Sequence, residues 1–323
     1  MPSAVLLAGC GGGQDSLQPH STQSNQIRWL WWGMLIVAGI VFFGAVGMLA
    51  LAWLRKGDKG LPALGPREGL TNGLVVVFGI VVPVVVLVAL FIVANLVVIK
   101  TTQAPAKGST QMSIDVTGKQ WFWVVSYDGT PAVTANEIHI PVRTRVRINV
   151  RSGDVIHSFW VPELNRKIDT INGQTNSELL YASRPGRYRG QCAEFCGLQH
   201  AHMGMVVVAE PMARFRAWLA NMAKPAPAPA GGAAAQGQRL FMANQCASCH
   251  QIRGTQAQGQ IGPDLTHLAS RSTLAALTIA NTPRELAAWI ANPQAIKPGN
   301  KMPDLGLSRS QIAAIVSYLE GLK

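Results

Sequence analysis

The 323-residue sequence predicts two membrane-spanning helices, then an all-β sandwich, then a small all-α domain. Three observations carry that prediction. Two apolar runs, 29–54 and 73–99, contain no charged residue and exceed the roughly 20 residues that cross a bilayer as a helix. Short β-rich segments separated by turn residues follow Lys100. A Pro/Ala/Gly-rich stretch at 223–236 then precedes a closing region with helix caps and apolar residues at helical spacing. Composition agrees, because 14% charged against 48% hydrophobic residues is an odd balance for a wholly soluble chain.

Taken in order, residues 1–9 read as a lipoprotein signal. Leu7-Ala-Gly-Cys10 behind a short apolar run has the form of a cleavage box with Cys10 as the lipidated residue, although the stretch lacks the basic start of an export signal. Residues 10–28 form an exported segment and 29–54 the first membrane helix, with Trp29, Trp31, Trp32 and Trp53 at its ends as interfacial aromatics. The loop 55–72 carries Arg55, Lys56, Lys59 and Arg67 against Asp58 and Glu68, so the positive-inside rule places it in the cytoplasm and both termini outside. The second membrane helix is 73–99, and its internal Pro83 is tolerable in lipid.

The β domain is expected over 107–222. Its strands include Ile114–Thr117, Trp121–Val125, Val142–Val150 with apolar and basic residues alternating, and Gly204–Ala209. His139 reads as an ordinary strand residue. In the linker 223–236, proline alternation stiffens the first half and glycine loosens the second. The α domain, 237–323, opens one helix with Thr282 as cap and Pro283 in the first turn, and a last one with Ser308 as cap.

Two motifs carry chemistry. Cys192-Ala-Glu-Phe-Cys196-Gly-Leu-Gln-His200-Ala-His-Met203, with His157 upstream, gathers soft sulfur ligands and imidazoles. That set suits a binuclear copper electron-transfer centre, with two bridging thiolates and a histidine for each copper. A tetrahedral zinc or a Cys192–Cys196 disulfide fits the same residues. Cys246-Ala-Ser-Cys249-His250 is a C-x-x-C-H run, the form of covalent c-type heme attachment with His250 as proximal ligand. A redox disulfide or a zinc site is its alternative.

The flanks of the first motif, Arg184-Pro-Gly-Arg-Tyr-Arg-Gly-Gln before Cys192 and Glu194 between the cysteines, make the stretch resemble subunit II of the heme-copper cytochrome c oxidases. The resemblance implies a cupredoxin Greek key whose dicopper centre, CuA, is held by His157, Cys192, Cys196, His200, Met203 and the backbone carbonyl of Glu194. The Glu194 carboxylate is then expected to reach a magnesium ion shared with subunit I, and His202 matches no ligand position. The run Gln120-Trp121-Phe-Trp123 resembles the family's electron-entry segment, which makes Trp121 the entry residue and leaves Trp123 and Tyr127 to packing.

Gly262-Pro-Asp-Leu and Asn300-Lys-Met302-Pro resemble small bacterial cytochromes c, which implies Met302 as distal heme ligand, with Met242 and His267 as competitors. Some oxidases also carry an acidic residue near the start of the second helix that feeds a proton channel. Counting back from Pro83 reaches Val76, and Glu68 lies too far away, so no residue takes that role here.

The family reading implies an electron-entry subunit of a terminal cytochrome c oxidase, with dioxygen reduction and proton pumping in subunit I, and no general acid, base or nucleophile in this chain. Subunits I and III, a cytochrome c or a quinol:cytochrome c reductase as donor, and the bacterial inner membrane are the expected partners, with the copper and heme domains on the periplasmic side; no nucleic acid is expected. A copper-containing subunit of a nitric-oxide reductase and a stand-alone membrane electron-transfer module are the alternatives; a quinol oxidase subunit is disfavoured because such relatives lack the copper ligands. The segment 107–216 holds 13 basic and 9 acidic residues and 239–323 holds 8 and 4, so totals reveal no acidic docking face for a basic donor. The tethered heme domain is therefore expected to be the electron acceptor.

Overall fold

The computed structural model describes residues 13–54, 68–106 and 108–323. Cys10, the signal 1–9 and the charged residues 55–67 lie outside them. The chain divides into two units, residues 25–102 and the remainder.

The membrane unit contains α1 (Thr22–Leu54) and a second helical run composed of α2 (Glu68–Val76), a π-turn at Val77–Val81, α3 (Val82–Val93), a second π-turn at Ala94–Ile99 and α4 (Lys100–Thr102). Pro83 sits in the first turn of α3 and has no N–H to donate, and the preceding turn widens to the π form. Both helices run beyond the apolar stretches 29–54 and 73–99, because polar flanks such as Thr22–Gln26 continue the same backbone path. Their lengths, 33 and 31 residues, fit two membrane crossings, and nearly all their large apolar side chains are exposed.

The sandwich is built from β1 (Met112–Lys119), β2 (Phe122–Tyr127), β3 (Val133–Ala135), β4 (Glu137–Pro141), β5 (Val146–Ser152), β6 (His157–Trp160), β7 (Ile168–Thr170), β8 (Asn176–Leu180), β9 (Gly186–Cys192) and β10 (Gly204–Glu210). One sheet has the order β3-β2-β1-β5-β8 and the other β4-β10-β9-β6-β7. Pairing is antiparallel except for β1 with β5 and β4 with β10. Alternate residues of β1, β2 and β5 are buried, as a half-buried strand requires, and Trp123, Phe159, Ile114, Ile148 and Leu180 fill the space between the sheets.

The strand expected over Val142–Val150 begins only at Val146. Val142 and Arg143 make a turn, with Arg143 at φ 57° and their amides bonded to the carbonyls of Glu210 and Ala182. The segment that precedes α1 also joins this fold. Ser21 caps α1 by accepting the Ser24 amide at 2.9 Å, Ser24 donates its hydroxyl to the Glu163 carbonyl at 2.6 Å, and the His20 amide donates to the same carbonyl.

After β10 come α5 (Met212–Met222), α6 (Gly232–Ala243), α7 (Cys246–Cys249), a two-residue hairpin of β11 (Thr273–Leu274) and β12 (Ile279–Ala280), α8 (Pro283–Ala291), α9 (Pro293–Ile296) and α10 (Arg309–Glu320). α6 begins inside the stretch read as linker, since Ala233–Ala235 are good helix formers once Gly231 and Gly232 have turned the chain at positive φ. The proline half is pinned to the heme-motif domain: the Ala226 amide donates to the Arg253 carbonyl at 2.9 Å. α6 crosses α10 at Gly237, where a Cβ would fall 1.9 Å from the Ala314 carbonyl oxygen. Thr282 and Ser308 cap α8 and α10 as their sequences suggest, and Ser308 with Gln311 forms a full capping box, worth about 1 kcal/mol.

Candidate metal centre

β6 opens on His157 and β9 closes on Cys192, neighbouring strands of one sheet, and the turn 193–203 brings Cys196, His200 and Met203 back over that end. The Cys192 amide donates to the Met203 carbonyl at 3.0 Å and closes the loop. Both cysteines are free thiols with their sulfurs 3.8 Å apart. One ligand atom from each of His157, Cys192 and Cys196 lies within 4.8 Å of the others, and all three residues are buried. His200 is placed on the other thiol, its Nδ1 3.7 Å from the Cys196 sulfur, and the Met203 sulfur is 3.8 Å from that same atom. The Glu194 carbonyl oxygen lies 3.2 Å from the Cys192 sulfur.

His157 supplies the test of fit. Its Nε2 meets the Asp154 carboxylate at 2.8 Å, while its Nδ1 is buried without a partner. A buried, unsatisfied imidazole nitrogen beside two thiols, oriented by a carboxylate on its other nitrogen, has the arrangement of a metal-ligating histidine. Gly118 makes room for the ring, since a Cβ there would lie 2.8 Å from His157 Cδ2. Burial disfavours protonated His157, but the contacts to Cys192 and Asp154 outweigh it and raise the pKa. The hydrogen bond with Cys196 holds the Cys192 thiol far below the ordinary thiol range, and that same bond, then burial and the charge on Cys192, pushes Cys196 up. Such a pair surrenders its first proton readily, which suits a soft cation.

The second centre is a cavity in the closing domain lined by Cys246, Cys249, His250 and Met302, with apolar walls from Phe241, Leu265, Leu268, Ile290 and Leu319. His250 Nδ1 is held by the Pro263 carbonyl at 2.8 Å, leaving Nε2 as the available nitrogen. A Cβ on Gly262 would fall 2.5 Å from His250 Cε1, so glycine lets the imidazole lie against the backbone. Of the three candidates for the opposite face, only Met302 lines the cavity. Both ring nitrogens of His267 face carbonyls, those of Lys323 and Lys224 at 2.7 and 3.1 Å, and Met242 packs against the domain's core without lining the cavity. The Met302 loop is fixed by Met302 N–H to Asn300 Oδ1 at 2.8 Å and Gln294 Nε2 to the Met302 carbonyl at 3.0 Å. An apolar cleft with two thiols, an imidazole and a facing thioether fits a covalent heme.

The two centres share a wall. Gln120, Trp121 and Phe122 of the sandwich line the same cavity as Cys246 and Met302. Trp121 donates its Nε1–H to the Cys196 carbonyl at 3.0 Å, and Gln120 Nε2 donates to the same oxygen at 2.8 Å. Trp123 is wholly buried, packs edge-on to His157 and Phe159, and reaches the Met203 carbonyl at 3.4 Å. Tyr127 is core, and its hydroxyl bonds to the backbone of His139, which stacks on Trp218 at 3.9 Å. His202 is exposed on the copper-motif loop, its ring held by Gln199 at 2.8 Å.

Two residues outside the motifs belong to the site. Asp154 bonds His157 and also accepts the Gln120 amide at 2.7 Å, and its place three residues before His157 is a signal the sequence offered. Lys297, buried against the sandwich, had no such signal.

The family model for the periplasmic domain of cytochrome c oxidase subunit II matches residues 131–210, and that for cytochrome c matches 234–323. The chain is 31% identical to cytochrome c oxidase subunit 2 of Alkalihalophilus pseudofirmus, over 99% of this chain and 94% of that one. It is 29% identical to that of Bacillus subtilis, over 80% and 77%. Among solved structures, the periplasmic domain of subunit II of cytochrome oxidase from Bradyrhizobium japonicum is 30% identical, covering 35% of this chain and 94% of that one with a TM-score of 0.34.

Proposed function

The chain belongs to the cytochrome c oxidase subunit II family, and from that premise we propose that it is the electron-entry subunit of a terminal oxidase in a bacterial inner membrane, delivering electrons to subunit I for the reduction of dioxygen to water coupled to proton pumping. It is a membrane-anchored subunit of an oxidoreductase complex, and its two periplasmic modules carry the copper and heme chemistry that the family implies. The observation that carries the proposal is the shared wall: Trp121 borders the heme cavity and donates a hydrogen bond to the carbonyl of the copper-motif Cys196.

Cys246 and Cys249 would tether the heme, with His250 and Met302 as axial ligands. His157, Cys192, Cys196, His200, Met203 and the Glu194 carbonyl would hold two coppers. When bound, the two cofactors supply reversible one-electron chemistry. The chain itself keeps the ligands in place: Asp154 orients His157, the Cys192–Met203 backbone bond closes the loop, and Trp121 spans the wall between the centres. Holding ligands rigidly lowers the reorganisation that an electron transfer demands. Glu194 stands in no group of three or more metal-binding side chains among the described residues, so a magnesium ion held at its carboxylate would need further ligands from subunit I. A cytochrome c or a quinol:cytochrome c reductase is the donor in this reading, and subunit III completes the complex.

Metal and heme content of the detergent-solubilised full chain tests the proposal. Two coppers per chain and one heme that survives denaturing electrophoresis are expected; a single zinc, or heme released on denaturation, overturns it.

A further inference from the structure

Lys297 lies on the loop that follows α9 and is 3% exposed, yet among the described residues no carboxylate lies within ion-pair distance of it. Its three ammonium protons go to three backbone carbonyls: His202 at 2.8 Å, Trp121 at 3.1 Å and Ala275 at 3.2 Å. The first two belong to the sandwich, one beside the copper ligand Met203 and the other to the residue on the shared wall. The third belongs to the heme domain. An ammonium has three donors and no acceptor, so this geometry satisfies it completely. Burial depresses its pKa to about 8, and the neighbouring Cys196 works the other way.

The same residue leads to the heme side. The Lys297 carbonyl accepts the Asn300 amide at 3.1 Å and its side-chain Nδ2 at 2.7 Å, and Asn300 Oδ1 in turn holds the Met302 amide. A short chain of bonds therefore runs from Met302 through Asn300 and Lys297 to the carbonyl of Trp121. Packing supports it: Gln199 Nε2 donates to the Pro298 carbonyl at 2.5 Å, and Leu198 lies so close to Gly299 that a Cβ there would be 2.7 Å from its Cδ1. Gly299 is at φ 79°, so its turn also favours glycine.

We propose that Lys297 is a positioning residue that latches the heme domain onto the Trp121 and His202 backbone, so that heme and copper exchange electrons in a preformed intramolecular complex and not after a search by a tethered domain. The inference rests on the two-centre reading above. It turns tethering at high effective concentration into fixed docking, which removes the search step and its dependence on linker motion.

The test uses the full-length protein in detergent, wild type and Lys297→Met. Two interdomain amides report docking without any cofactor: Gly204 N–H bonds to the Ala276 carbonyl at 3.3 Å, and Ser272 N–H bonds to Glu137 Oε1 at 3.0 Å. In the wild type both are expected to be protected from hydrogen exchange, and in Lys297→Met both are expected to exchange at least tenfold faster while core amides such as Val116 keep their protection. With heme and copper loaded, the photoinduced heme-to-copper rate is expected to be independent of viscosity in the wild type. In the variant it falls at least tenfold and becomes viscosity-dependent, with both optical spectra unchanged. Unprotected Gly204 and Ser272 amides in the wild type overturn the proposal, whether or not the variant folds. So does a Lys297→Met protein with wild-type exchange and rate. Failure of the full chain to bind copper or heme counts against the two-centre reading alone, because the amide measurement stands without them.

Discussion

The indole Nε1–H of Trp121 donates to the carbonyl of Cys196 at 3.0 Å while Trp121 also lines the cavity of Cys246 and His250. One side chain thus touches the copper-motif backbone and the heme cavity. Trp121→Phe keeps an aromatic wall and loses the hydrogen bond. The expected result is a heme-to-copper transfer rate at least tenfold lower, measured by flash photolysis, with the copper absorption bands retained.

Asp154 bonds His157 on the nitrogen that faces away from the thiols. Burial works to raise the Asp154 pKa, but the amide of Gln120 and the contact with His157 hold it below the usual carboxylate value, so it is an anion at neutral pH. Asp154→Asn removes that charge, and partners of this kind typically contribute 10–100-fold to metal affinity. Competition with a chelator should show copper affinity lower by about that factor; unchanged affinity would mean that Asp154 does not orient the ligand.

Met302 and His267 separate cleanly. Met302→Ala should convert the oxidised heme from low to high spin and lower its reduction potential, since a methionine axial ligand raises it. His267→Ala should leave the spin state alone and cost only stability, because both ring nitrogens serve carbonyls.

Glu137 predicts a pH dependence. Burial would raise its pKa, but the contact with His139, two hydrogen bonds from Ser272 and the charge of Arg187 hold it at about 2, against 4.5 for a free glutamate. The folded value is the lower one, so its stabilisation is present above about pH 4.5 and is lost as pH falls toward 2. The shift corresponds to about 3 kcal/mol at most. Ser272 lies in the heme domain, so the protection of the Ser272 amide, taken relative to the intrinsic exchange rate at each pH, should fall across this window in the wild type and already be low at pH 7 in Glu137→Gln.

Much of this was legible in residue order, for physical reasons. The membrane helices follow from uncharged runs long enough to span lipid, and the strands from alternation that survives into the burial pattern of β1, β2 and β5. The candidate ligands were legible because sulfur and imidazole side chains lie close together in sequence within a stretch that resembles a known copper motif, and Cys192, Cys196, His200 and Met203 do meet within one loop. What escaped was tertiary. Whether Val142–Arg145 extends or turns depends on the carbonyls of Glu210 and Ala182, far away in sequence. The docking of the two modules through Lys297, Arg187 and Ser272 has no periodic signature, since each contact is a single hydrogen bond to a carbonyl, hydroxyl or carboxylate far away in sequence. The linker looked free because proline and glycine set local stiffness but do not encode its contact with Arg253.

The loop from Cys192 to Met203, with His157, is proposed to hold two coppers that share one unpaired electron. Paramagnetic resonance of the oxidised full-length protein, loaded with heme and copper in detergent, tests it most directly. A seven-line copper hyperfine pattern beside a low-spin heme signal is the predicted result. A four-line pattern from a single copper, or a copper-silent spectrum with zinc bound, would contradict it.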